Sequence, residues 1–143
     1  MTVCVDASFP LAFLLRDQHW ERAYVVWQQL LRRREQILGP PLITAEITSI
    51  VRERMYKRRL TADEASEVLD WAVSLPVAIA PDSSALQRKA FEFATRFNRP
   101  KAYDAQYLAV ADAIGCELWT ADRRLANAVR GKLNWVRYIG DGA

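Results

Sequence analysis

Short apolar runs alternate with amphipathic helical stripes along this whole chain, and that alternation leaves few folds open. Thr2 to Val5 reads as a strand running into a helix that Ser8 caps and Pro10 enters in its first turn, where a missing N–H does no harm. A second helix carries Trp20, Ala23, Tyr24, Trp27, Leu30 and Leu31 on one stripe. It ends in Arg32, Arg33 and Arg34, cations suited to the negative end of a helix dipole. Gln36 to Leu38 reads as a short strand closed by Gly39, Pro40 and Pro41. The next helix, Thr44 to Arg58, turns Ile47, Ile50, Val51 and Met55 inward. Thr61 to Glu64 is a capping box opening a further helix. Pro76 and Pro81 bracket a strand, Val77 to Ala80, and Asp82 caps the helix after it, which Asn98, Arg99 and Pro100 break.

The stretch from Tyr103 to Asp122 is the most informative. It reads as a helix, a stop at Gly115, a strand from Glu117 to Trp119, and a loop carrying Asp122. A short helix, Arg123 to Arg130, and a last strand, Asn134 to Tyr138, complete the chain. Strands separated by helices throughout predict a parallel sheet of four to five strands covered on both faces. All 143 residues read as one domain, long enough to bury a core without a staple.

Four acids stand out against that frame. Asp6 and Asp122 each follow a strand, where α/β folds place their ligands. Asp104 heads the row of Leu108, Ala111 and Gly115 on an otherwise interior helix face, although an unpaired buried carboxylate is expensive. Glu46 stands in the first turn of its helix, beside the apolar stripe rather than opposite it. If the four converge, repulsion must be offset: two unit charges ~4 Å apart cost about 4 kcal/mol at an effective dielectric of roughly 20. The four motifs contain no lysine, and Arg123, directly after Asp122, is their one arginine. A divalent cation is the natural counter-charge, and oxygen ligands without histidine or thiolate select Mg²⁺ or Mn²⁺. Such an ion suits phosphodiester hydrolysis. On this reading Asp6 and Asp104 hold the main ion, and Glu46 and Asp122 complete its shell through water or hold a second. Ser8 and Thr120 position water or phosphate by their hydroxyls, with Arg123 beside them.

The net charge of +3 permits a polyanionic partner without requiring one. Arg52, Arg54, Lys57, Arg58 and Arg59 form a cationic ridge that suits RNA phosphates or plain solvation. Cys4 and Cys116 have no metal-binding spacing and no secretory signal ahead of them, so they read as buried reduced thiols in a cytoplasmic protein. No apolar run approaches a membrane span. His19, the single histidine, reads as a surface residue, and Asp112 as a helix-surface acid.

The order Val3 to Ser8, then Pro41 to Glu46, then Tyr103 to Ala109, then Leu118 to Asp122 resembles the PIN-domain ribonucleases, specifically VapC-type toxins, over nearly the whole chain. The resemblance implies a three-layer α/β/α sandwich around a parallel sheet. It implies Mg²⁺- or Mn²⁺-dependent cleavage of RNA, neutralisation by a cognate antitoxin protein, and a homodimer. Carried over residue by residue, its acidic site falls on Asp6, Glu46, Asp104 and Asp122, and its threonine on Thr120. Leu125 departs from the phenylalanine many relatives carry.

Two other α/β classes fit poorly. A phospho-accepting receiver domain needs an acidic pair at the first strand end, and a haloacid-dehalogenase-like phosphatase needs an acid where Ser8 stands. The rival within the same fold is a catalytically silent RNA-binding or scaffold module.

Overall fold

The computed structural model describes residues 1–142. In chain order these form β1 (Thr2–Val5), α1 (Ser8–Leu14), α2 (Trp20–Arg32), β2 (Gln36–Gly39), α3 (Leu42–Tyr56), α4 (Ala62–Ser74), β3 (Val77–Ile79), α5 (Ser84–Arg96), α6 (Tyr103–Ile114), β4 (Glu117–Thr120), α7 (Arg123–Val129) and β5 (Val136–Tyr138). The five strands make one parallel sheet in the order β3-β2-β1-β4-β5. Each parallel pairing needs a helical crossover, which is why no two strands are joined directly.

Both faces are covered. Successive strand residues point to opposite sides, and on one side the Cys4 thiol meets the Tyr107 carbonyl of α6 at 3.8 Å. On the other, Trp119, paired in register with Val5, packs its ring against Phe9 of α1 at 6.3 Å between centroids. Phe9 then meets Phe13 and Trp27 edge to face, and Phe13 lies tilted against Trp27, tying α1 to α2. The arrangement is the expected α/β/α sandwich. The chain leaves β1 in one direction to β2 and β3 and returns to the other side of β1 as β4 and β5. The point where the strand order reverses, the place at which open α/β sheets bind their ligands, therefore lies between β1 and β4.

Several local expectations are corrected. Ser8 does not cap α1: it is the first helical residue, and its hydroxyl turns back to Asp6. Ser83, not Asp82, caps α5 by accepting the Leu86 N–H at 3.0 Å, while Asp82 accepts the Ser83 N–H. Helix α3 starts at Leu42 rather than Thr44, because Pro41 already has helical dihedrals, and this moves Glu46 out of the first turn. On α2, Val26 is buried where Tyr24 and Leu31 were expected. The 3.6-residue period centres the stripe on Ala23, Val26, Trp27 and Leu30. Cys4 is buried and Cys116 only half-buried, both as free thiols. His19 is half-buried rather than exposed and takes a left-handed backbone ahead of α2, its ring edge-on to Tyr138. The capping box at Thr61 and Glu64 and the left-handed stop at Gly115 are as read. Asp112 is exposed and pairs with Lys89 at 3.2 Å.

Candidate active site

The β1–α1 turn is built around Asp6. Only 4% of this residue is exposed, yet its carboxylate is well provided with donors. The Ser8 hydroxyl donates to Oδ1 at 2.6 Å, the Phe9 backbone N–H to the same oxygen at 3.2 Å, and the Thr120 hydroxyl to Oδ2 at 2.5 Å. Those hydroxyls in turn accept backbone N–H groups from the β4–α7 loop, Ser8 from Ala121 and Thr120 from Asp122, each at 2.9 Å. Two strand ends are thereby locked together by side chains that all converge on one acid.

Asp122 is the N-cap of α7, and its Oδ1 accepts the Arg124 and Leu125 N–H groups at 2.9 and 3.3 Å. Its other oxygen is not bonded by any described protein group. Arg123 is exposed at the start of the same helix. Asp104, in the first turn of α6, is half-buried and held by Arg99, whose Nε and Nη2 both lie 2.9 Å from Oδ2. The sequence reading missed this guanidinium, because it comes from the loop before α6 and not from any of the four acidic motifs. Glu46 projects from the second turn of α3 beside the buried Ile43 and Ile47.

The four acids act on one another electrostatically. Burial pushes the Asp6 carboxyl up to about 7; the Ser8 and Thr120 hydroxyls oppose that rise, and the charges of Asp122 and Glu46 add to it. Glu46 is also raised, first by burial, against the Tyr107 hydroxyl that faces it, and further by Asp104 and Asp122. Tyr107 is 1% exposed, and its phenol is shifted strongly upward by burial and by the charges of Glu46 and Asp6. Its hydroxyl makes no hydrogen bond of normal geometry, a cost of about 1–3 kcal/mol for a buried polar group.

The donor set of carboxylates and hydroxyls suits a hard divalent cation. The side chains are not at ligand distance, however. Among the described residues no three His, Cys, Asp or Glu side chains stand close enough to share an ion. This corrects the expectation of ready-made convergence: Asp6 is taken up by its three donors, Asp122 by its cap and Asp104 by Arg99. What links them is their charge: Asp6 feels Asp122 and Glu46, and Glu46 feels Asp104 and Asp122.

Similarity to known proteins bears on the same residues. The PIN domain family model matches residues 3–131, from the start of β1 to just past α7. The chain belongs to the PIN-domain family. Within it, a VapC ribonuclease of Mycobacterium bovis and ribonuclease VapC9 of Mycobacterium tuberculosis are each 34% identical to this chain over 125 residues, covering 87% of it and 89% of the relative. That degree of similarity makes this PIN domain one of the VapC ribonucleases. Solved structures agree on the fold. VapBC2 from Rickettsia felis, bound to a DNA fragment from its promoter, superposes with a TM-score of 0.64 at 15% identity, covering 90% of this chain and 93% of that one. VapC20 of Mycobacterium tuberculosis, a toxin that cleaves the sarcin-ricin loop, gives 0.61 at 18% identity over 88% and 94% of the two chains.

Proposed function

We propose that this PIN domain is a divalent-metal-dependent endoribonuclease, the toxin of a VapBC-type pair, and that the whole chain works as one nuclease domain in the cytoplasm. The observation that carries the reading is the position of Asp6, Glu46, Asp104 and Asp122. Asp6 and Asp122 follow the ends of the adjacent strands β1 and β4, and Glu46, on α3, lies within the field of Asp122 and of Asp104 on α6, which supports the reading. The all-oxygen donor set favours Mg²⁺ or Mn²⁺ as the divalent ion.

Asp6 and Asp104 would hold the ion, with Glu46 and Asp122 completing its shell. Bound there, the ion would neutralise the clustered carboxylates and the charge that builds on the scissile phosphate, and acidify an attacking water. The protein's own groups do the rest. Ser8 and Thr120 keep Asp6 fixed and ionisable, and the exposed Arg123 offers a guanidinium to a neighbouring RNA phosphate. The fold has no helix among the described residues that is long and apolar enough to cross a membrane. A cognate antitoxin protein and a homodimer are proposed from the relatives, one of which is a VapBC complex.

The reading is tested by RNA cleavage in chelator: activity should vanish in EDTA and return with Mg²⁺ or Mn²⁺, and full activity in EDTA would refute it. One observation favours the silent-scaffold alternative, namely that no three of the acids stand at ligand distance. Titration calorimetry with Mn²⁺ separates the two. A nuclease binds the ion and loses it on Asp104→Asn, whereas a scaffold shows no binding to lose.

A further inference from the structure

Arg99 is not a loose surface cation. Helix α5 ends in a left-handed residue, Asn98, whose φ is 53°. The Asn98 N–H donates to the Thr95 carbonyl at 3.2 Å, and the Arg99 N–H reaches back to the Ala94 carbonyl at 2.8 Å. That pair of bonds closes the helix and fixes the arginine backbone, and Pro100 directly after it narrows its dihedrals further. From this anchored position the side chain crosses to α6, where Nε and Nη2 both lie 2.9 Å from Asp104 Oδ2. The arginine side chain is 21% exposed and the aspartate 24%. Fully exposed ion pairs are weak, because water screens them and two long side chains must be ordered. This pair escapes much of both costs, and its guanidinium keeps its charge at any working pH.

We propose that Arg99 is the counter-cation of Asp104 in the metal-free chain, and that a divalent ion takes Asp104 only by exchanging with it, so that Arg99 lowers the affinity of the site. The inference deepens the proposed function and rests on it, since Asp104 must be a ligand of the ion. Two arguments favour exchange over sharing. An ion on the free Oδ1 would stand a few ångströms from a unit positive charge, and like charges repel at that range as strongly as opposite ones attract. Oδ2 already accepts two hydrogens from the arginine, so a carboxylate that grips the ion through both oxygens has no room for the fork.

The test is Arg99→Gln in the full chain, with Mn²⁺ alone as the probe. In EDTA the variant should unfold below the wild-type temperature, because Asp104 has lost its partner. In calorimetry it should bind Mn²⁺ at least about tenfold more tightly. The gap in unfolding temperature should therefore close as Mn²⁺ is added, which a merely structural arginine would not produce. Equal or weaker Mn²⁺ binding in the variant overturns the proposal, weaker binding marking Arg99 as a group that aligns Asp104 for the ion. A second readout needs no substitution: the Arg99 Nε hydrogen of the wild-type chain should exchange with water faster once Mg²⁺ saturates the site. An exchange rate that holds or falls while calorimetry records binding overturns the proposal too. Absence of binding by both chains overturns the proposed function instead.

Discussion

Thr120 donates its hydroxyl hydrogen to Asp6 across 114 residues of chain, and the same oxygen accepts the Asp122 backbone N–H. One side chain thus ties the end of β1 to the loop after β4 and sets two of the four acids relative to each other. Ser8 does the same from the other side through Ala121. When Asp6 is ionised both hydroxyl hydrogens point at it, so the 3.2 Å approach of Ser8 Oγ to Thr120 Oγ1 carries no hydrogen of its own.

Thr120→Val keeps the side-chain shape and deletes the hydroxyl. It leaves Asp6 Oδ2 and the Asp122 N–H without their partner, so denaturant unfolding near pH 8 should show a loss of about 1–3 kcal/mol. Thr120→Ser should recover most of it. Equal stability of the valine variant would remove Thr120 from the lock.

The buried Asp6 also makes stability depend on pH. Its folded pKa is raised to about 7 from an ordinary 3.8, so the protonated form is the one the fold favours. That contribution is complete below the unfolded value and is lost as pH rises through about 7, a total on the order of 4 kcal/mol in the metal-free chain. Unfolding curves of wild type and Asp6→Asn should diverge between about pH 4 and 7, with the asparagine variant the more stable at the alkaline end. A difference that ignores pH would show Asp6 to be ionised throughout.

Ion binding should carry the opposite pH dependence. Holding a cation requires Asp6 ionised, so below about pH 7 each binding event expels a proton. Mn²⁺ affinity should rise about tenfold per pH unit and level off above that point, with heats that vary with the buffer's own ionisation. A flat profile would take Asp6 out of the ligand set.

Asp122 combines a structural task with a proposed chemical one, and two substitutions part them. Asp122→Ala removes the cap of α7 and should cost about 1 kcal/mol of stability along with turnover. Asp122→Asn keeps a good capping side chain, so stability should hold while Mn²⁺ affinity and RNA cleavage fall. Retained cleavage in the asparagine variant would leave Asp122 as a cap only.

The layered fold was legible because its signals are local: the apolar runs of β1 and β4, the capping box at Thr61, and the left-handed stop at Gly115. The four acids could be singled out together because each was read where a strand ends or a helix starts, although Glu46 stands in the second turn of α3. What stayed hidden depends on groups distant in sequence or indistinct in pattern. Ser8 looked like a cap because nothing near it reveals that its partners include Ala121. Glu46 was placed a turn too early because Pro41 enters α3 before the hydroxyl at Thr44 suggests a start. Arg99 sits in a loop whose break was plain and whose direction was not.

That arginine has a bearing on how the centre fills. With a guanidinium already seated on Asp104, any ion that Asp104 is to hold would enter a corner that is partly neutralised, and seating it fully would mean loosening an internal rival. On the proposed reading, occupancy is a competition between two cations, one tethered and one free, whose outcome would be set by how much of the divalent ion the surroundings supply.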